Sequence, residues 1–184
     1  MSIFISYNHK DYEKVAPIVE RLKEEGFEVI IDREAMQTGE QIKAFILRAV
    51  RESGLILSML SRNSLASPWV SYEFVLGEIQ QDLAQNHFWS LSIDPDVFGK
   101  PNLIDELYDL AEERLEQMKQ KRSERDQKNR GTVDLDPDIE RQRDHHHHLD
   151  KRFKQIKENL TLDFSSPEKL TQNLPKLIED LKKN

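Results

Sequence analysis

The chain of 184 residues has no cysteine. That excludes a disulfide framework and a thiolate metal site, and it fits a reducing compartment. No apolar run is long enough to span a membrane, and the apolar stretch in the N-terminal "MSIFISYNHKDYEK" is too short for a signal peptide, so a cytoplasmic protein with no membrane partner is expected. Basic residues are outnumbered, 27 Lys and Arg against 34 Asp and Glu, for a net charge of -7. Phosphate backbones select basic surfaces, so no nucleic-acid partner is expected, while a nucleotide held in a small local pocket stays open. There is no Gly-rich phosphate loop among the six glycines, no Ser-His-Asp order and no internal repeat. The length suits one domain over 1–184, enough to bury a proper core.

What is present is an alternation. "SIFIS" at 2–6 reads as a short buried strand, followed by the loop "YNHKD", in which Asp11 is placed to cap a helix. Residues 12–25 place Val15, Ile18, Val19 and Leu22 at helical spacing, with a kink expected at Pro17 and a stop at Gly26. "FEVIID" at 27–32 is a second strand and "REAMQTGE" a polar loop. A helix over 40–52 carries Ile42, Phe45, Ile46, Ala49 and Val50, and "GLILSML" at 54–60 is a third strand. "SRNSLASP" reads as a loop, then a helix runs from about Ser67 to about Ala84. Such alternation with short connections implies an α/β fold: a parallel sheet with helices on both faces. Ligands of such sheets bind beyond the carboxyl ends of the strands. Those ends carry "SYNHKD", "DREAMQTGE" and "SRNSLASP", the most polar connections of the first half.

The second half is less regular. "HFWSLSID" at 87–94 is a fourth strand ended by Pro95. A long charged helix is expected over 102–130, with only the thin stripe Leu103, Leu107, Leu110, Leu115 and Met118. "GTVDLDPDIERQRDHHHHLD" has little hydrophobicity and reads as a loop or weakly ordered segment. "ENLTLDFS" at 158–165 is a fifth strand. A closing helix has Ser166 as cap, Pro167 at its first position, and Leu170, Leu174, Leu177, Ile178 and Leu181 inward. The four histidines His145 to His148 cannot all face one ion from a regular element, so no metal site is expected from the run. The charged helix is read as a solvated face, with a partner or oligomer role as the alternative.

In "SPWVSYEF", residues 67–74, Trp69 and Glu73 stand four apart and share a helix face. A Trp favours burial and a Glu favours water, so the pairing asks for a reason. "FISY" at the first strand end, "VIIDRE...TGEQI" through the second strand and its loop, and "AVRESGLILSMLSRNSLASPWVSYEF" through the third strand and beyond together resemble a Toll/interleukin receptor (TIR) domain of the bacterial, NAD-cleaving type. The resemblance covers 1–82 well and 158–183 more loosely. It implies a flavodoxin-like fold with a central, mostly parallel five-stranded sheet. The stretch of about 100–157 departs from the family as a helical or partly ordered insertion between strands 4 and 5.

The resemblance also implies a chemistry. In NAD-cleaving TIR domains a Glu at the place of Glu73 is catalytic, and the Trp at the place of Trp69 fixes its helix against the sheet. Ser6, Tyr7, Asp32, Arg33 and Trp69 are then the residues expected around the substrate, with Tyr7 stacking on a base and Arg33 pairing with a phosphate. NAD+ would be substrate rather than cofactor, giving nicotinamide with ADP-ribose or a cyclic isomer, in bacterial defence or signalling. A single carboxylate suits this reaction. Nicotinamide leaves as a neutral molecule, and what needs stabilising is a ribosyl cation of oxocarbenium type. Self-assembly through the loop at 33–40 and a separately encoded sensor or effector are the partners implied. Two other readings stay open: a non-catalytic module that signals by TIR–TIR contact, and a nucleoside 2-deoxyribosyltransferase, which uses a similar sheet and a carboxylate but lacks the "SPWVSYE" context.

Overall fold

Short runs of leucine, β-branched and aromatic residues meet in one sheet in a computed structural model that describes residues 2–31, 42–67, 87–158 and 160–183. The strands are β1 (Ser2–Ser6), β2 (Glu28–Ile30), β3 (Leu55–Leu60), β4 (His87–Ser92) and β5 (Leu160–Asp163). Their order is β2-β1-β3-β4-β5, and every ladder is parallel. This is the flavodoxin-like order, in which the winding direction reverses between β1 and β3.

Strand alternation sorts side chains to two faces. Ile3 and Ile5 of β1, Leu55, Leu57 and Met59 of β3, and Leu91 of β4 face one core, closed by helices α1 (Tyr12–Glu24) and α8 (Pro167–Lys183). On the other face Phe4 meets Phe45 of α2 (Ile42–Glu52) edge-on, with ring centroids 6.0 Å apart. β3, covered on both faces, is buried at every position, which is why "LILSML" shows no polar alternation.

Helix α1 runs unbroken through Pro17. The proline lies in the second turn, where it forfeits only the bond to the Glu13 carbonyl, and burial of Val15, Ile18, Val19 and Leu22 holds the helix on the sheet. Gly26, at φ 86°, ends it as a Schellman cap: its N–H bonds the Lys23 carbonyl at 3.0 Å and the Phe27 N–H bonds the Leu22 carbonyl at 3.1 Å. In α8, Ser166 caps the Lys169 N–H at 3.3 Å, and Leu177, Ile178 and Leu181 are buried as the sequence pattern requires.

Two segments differ from the sequence reading. "SRNSLASP", expected as a loop, contains the single-turn helix α3 (Arg62–Leu65). It is held by a capping box in which the Ser61 hydroxyl accepts from the Ser64 N–H at 3.0 Å and the Ser61 N–H reaches the Ser64 hydroxyl at 2.8 Å. The second is the β4–β5 connection. It comprises α4 (Asp96–Gly99), α5 (Leu103–Gln127), α6 (Asp136–His147) and α7 (Leu149–Glu158), so the stretch expected as a loop is largely helical. Pro137 and the acids Asp136 and Asp138 suit a helix start. The buried face of α6 is Ile139, Gln142 and His145, mostly polar, so a count of apolar residues misses it.

α6 runs antiparallel along α5. Asp136 meets Arg122 at 2.6 Å, Gln142 donates to the Ala111 carbonyl at 3.1 Å, and the His146 ring stands edge-on to Tyr108 at 5.3 Å. Leu60, Leu65, Ala66, Val97, Leu103, Leu107 and Leu149 form a second core around the end of β3. The helix expected over 67–84 lies outside the described residues. No helix among the described residues is long and apolar enough to cross a membrane.

Candidate functional site

The crevice at a doubly wound sheet's switch point lies where helices leave to opposite faces, here at the carboxyl ends of β1 and β3. Ser6, the last residue of β1, pairs in register with Ser58, and Ser58 pairs with Ser90 of β4. The three stand on the sheet face opposite Ile5, Leu57 and Leu91, so a row of hydroxyl side chains crosses the sheet there. Ser6 is half-buried, while Ser58 and Ser90 are buried. Tyr7 turns to the other side. Its ring is buried in the core, tilted against Tyr12 at 6.1 Å and His9 at 5.9 Å.

Beyond Tyr7 the two strand-end loops are tied by polar side chains. Asn8 caps the short 3-10 turn His9–Asp11, its Oδ1 accepting from the Lys10 N–H at 3.1 Å, and its Nδ2 donates to the Asn63 carbonyl at 3.1 Å. Asp11, expected to cap α1, makes no side-chain cap bond. It is only 2 % exposed, and its carboxyl accepts from the Ser61 hydroxyl at 2.6 Å and from Asn63 Nδ2 at 2.8 Å. The carboxyl is instead satisfied by the turn after β3, with one donor on each oxygen. Asp94, after β4, closes the arrangement: its Oδ2 accepts from the Arg62 N–H at 3.3 Å and its Oδ1 from the Asp96 N–H at 3.1 Å. The ends of β1, β3 and β4 are thus cross-linked into one polar rim.

Of the residues named from sequence, Ser6 and Tyr7 stand at this switch point, one on each side of the sheet. Asp32, Arg33, Trp69 and Glu73 lie outside the described residues; the chain leads to them from Ile31, buried at the end of β2, and from Ser67, just past α3. Sequence reasoning missed Asn8, Ser61 and Asn63. Their signal was the polarity of "SYNHKD" and "SRNSLASP", which located the loops without showing that the loops bond each other.

A family model described as "TIR domain" matches residues 3–112, a span that runs from β1 into α5. Among solved structures, the chain is similar to the TIR domains in the structure of the activated Roq1 resistosome directly recognizing the pathogen effector XopQ. The TM-score is 0.58 at 17 % identity, covering 99 % of this chain and 97 % of that one. At that identity the likeness is one of fold. No curated protein matches the sequence. The family match covers well over half of the chain and includes both strands of the switch point, and so this chain belongs to the TIR domain family.

Proposed function

We propose that this TIR domain is an NAD+ nucleosidase, cleaving NAD+ to nicotinamide and ADP-ribose or a cyclic ADP-ribose isomer. The observation that carries the reading is Glu73, four residues after Trp69, inside the span that matches the family and directly downstream of the polar rim. In this reading the bond between ribose and nicotinamide breaks with its electron pair leaving on the pyridine nitrogen. The Glu73 carboxylate faces the ribosyl cation and holds ribose hydroxyls. Water then adds to the cationic carbon and loses a proton, or a ring nitrogen of adenine adds in its place. Ser6, Asp32 and Arg33 line the substrate site and Trp69 fixes the Glu73 helix, while Tyr7, its ring buried in the core, supports the end of β1 instead of stacking on a base. NAD+ is consumed as substrate, and the residues call for no metal or further cofactor.

The Roq1 TIR domains belong to a resistosome, an assembled state. That favours a role in signalling or defence in which this domain, too, acts in a self-assembly, in the cytoplasm and with a separately encoded sensor or effector. The same observation supports the second reading, a non-catalytic TIR–TIR interaction module. NAD+ consumption by concentrated wild-type protein and by Glu73→Gln, with products resolved by mass spectrometry, decides between them. Nicotinamide release by the wild type alone, with both proteins folded, supports the enzyme. A wild type that releases none at any concentration, with or without a crowding agent, refutes it. Self-assembly predicts that the rate rises more than linearly with protein concentration.

A further inference from the structure

The short helix α3 is gripped from two sides. On one side, Ser61 and Asn63 hold Asp11, and the Asn63 carbonyl holds Asn8. On the other, α5 of the β4–β5 connection holds α3 by three independent means. Leu65 and Ala66 pack in one cluster with Leu103 and Leu107. Glu106 bridges Arg62 of α3 at 2.8 Å and Lys100 at 2.8 Å. Arg114 Nη1 donates to the carbonyl of Ala66, the residue that ends α3.

The third contact stands out. The last carbonyls of a helix have no partner of their own and need one from outside. Arg114 comes from the fourth turn of another helix, 48 residues on, and supplies it. Ala66 lies two residues before Pro68 in "ASPWVSYEF", so the contact is made where the chain leaves the polar rim. A helix of one turn has no rigidity of its own. Its position is therefore set by what clasps it: α5 outside, the Asn8–Asp11 loop inside, and Asp94 at its first N–H.

We propose that Arg114, with Glu106, is a positioning residue of the candidate site: α5 fixes α3, and α3 fixes the Asn8–Asp11 loop at the end of β1. The β4–β5 connection is in this way coupled to the end of β1. Its activity arm rests on the NAD-cleavage reading, and its structural arm does not.

The test uses the full chain with Arg114→Met, which keeps the aliphatic stem and removes the donor, and Arg114→Lys, which keeps a donor for a single carbonyl. Amide hydrogen exchange is read by mass spectrometry beside NAD+ kinetics. Arg114→Met is expected to speed exchange about tenfold at both 61–67 and 8–11 while α8 exchanges as in wild type, because the opening is local. Arg114→Lys returns both segments to within about threefold of wild type. kcat falls about tenfold in Arg114→Met with KM within about twofold, since positioning acts on the barrier rather than on substrate affinity.

Acceleration confined to 61–67 overturns the relay to β1. Acceleration spread into α8 reduces Arg114 to general stability, and no acceleration removes it from the site. If wild type turns over no NAD+, the proposed function fails while the exchange pattern still decides this inference. If wild type is active and Arg114→Met keeps the wild-type kcat, the positioning role is refuted.

Discussion

The Asp11 carboxyl and the Ser61 hydroxyl stand 50 residues apart in sequence and 2.6 Å apart in space, and their bond ties the loop after β1 to the loop after β3. Asp11→Ala leaves the Ser61 hydroxyl and the Asn63 amide facing a gap with no acceptor. Stranding these donors costs about 3 kcal/mol. Thermal unfolding of Asp11→Ala is therefore expected about 6–12 °C below wild type for a domain of this size. Asp11→Asn, which keeps one acceptor oxygen, falls between the two. Equal melting of all three proteins would show that the pair contributes nothing.

That pair also marks the limit of what the sequence shows. The β-α-β-α-β alternation was legible because buried strands and one-sided helices carry strong apolar patterns, as in "LILSML" and in Val15, Ile18, Val19 and Leu22. The closing helix was legible from Ser166, Pro167 and its leucines. α3 was not, because its capping box closes with Ser64 in place of the usual Glu or Gln, and the apolar surface that Leu65 and Ala66 rest on comes from α5, far away in sequence. α6 was not, because two of its three buried residues are polar, Gln142 and His145, and the partner of Gln142 lies on α5. The end of the first strand placed Ser6 and Tyr7 at the switch point, but not that the Tyr7 ring turns into the core. The tie between Asp11 and Asn63 required knowing which loops become neighbours.

Glu73→Gln is the sharpest change to the proposed reaction. It keeps volume and hydrogen-bonding capacity and removes the negative charge that would oppose the ribosyl cation. Loss of a group aimed at developing charge costs about a hundredfold to a thousandfold in kcat. Nicotinamide release by Glu73→Gln is expected to fall by at least that factor, with an unchanged melting temperature. A variant that cleaves NAD+ at the wild-type rate would move catalysis to another residue.

Glu106 gives the α3–α5 contact a pH dependence. The hydrogen bond from Lys100 holds its carboxyl below the ordinary 4.5; burial opposes this, and the charges of Lys100 and Arg62 add to the lowering. With a folded value below the unfolded one, the unfolded chain takes up the proton first as pH falls. The stabilisation is whole above about pH 4.5 and is lost as pH drops through the folded value. Denaturant midpoints of wild type and Glu106→Gln should differ at about pH 7 and converge as the pH falls through the folded value. A constant difference across that range would remove Glu106 from the linkage.

Gln142 predicts the opposite sign for a substitution. It is fully buried on α6, its Nε2 donates to the Ala111 carbonyl at 3.1 Å, and its Oε1 has no hydrogen-bond partner among the described residues. A buried acceptor left unpaired costs about 1–3 kcal/mol, while the bond it would lose is worth about 1 kcal/mol. The Ala111 carbonyl lies inside α5 and keeps its helical partner. Gln142→Leu is thus expected to melt at or above the wild-type temperature, and a drop of several degrees would mean that the Oε1 has a partner in solution.

Leu107 tests whether the second core is an independent source of stability. It is 1 % exposed and packs with Leu65 and Ala66, whereas Leu177 of α8 is fully buried in the core on the opposite face of the sheet. Either leucine replaced by alanine removes apolar contact and leaves a cavity, at a cost of about 2–5 kcal/mol. Their clusters share no side chain, so the double variant should lose the sum of the single losses to within about 0.5 kcal/mol. Leu107→Ala alone should also loosen α3 and speed exchange at 61–67, because Leu65 and Ala66 lose the surface they rest on; Leu177→Ala should not. If both variants open 61–67 equally, the two cores unfold as one unit and α5 has no separate hold on the rim.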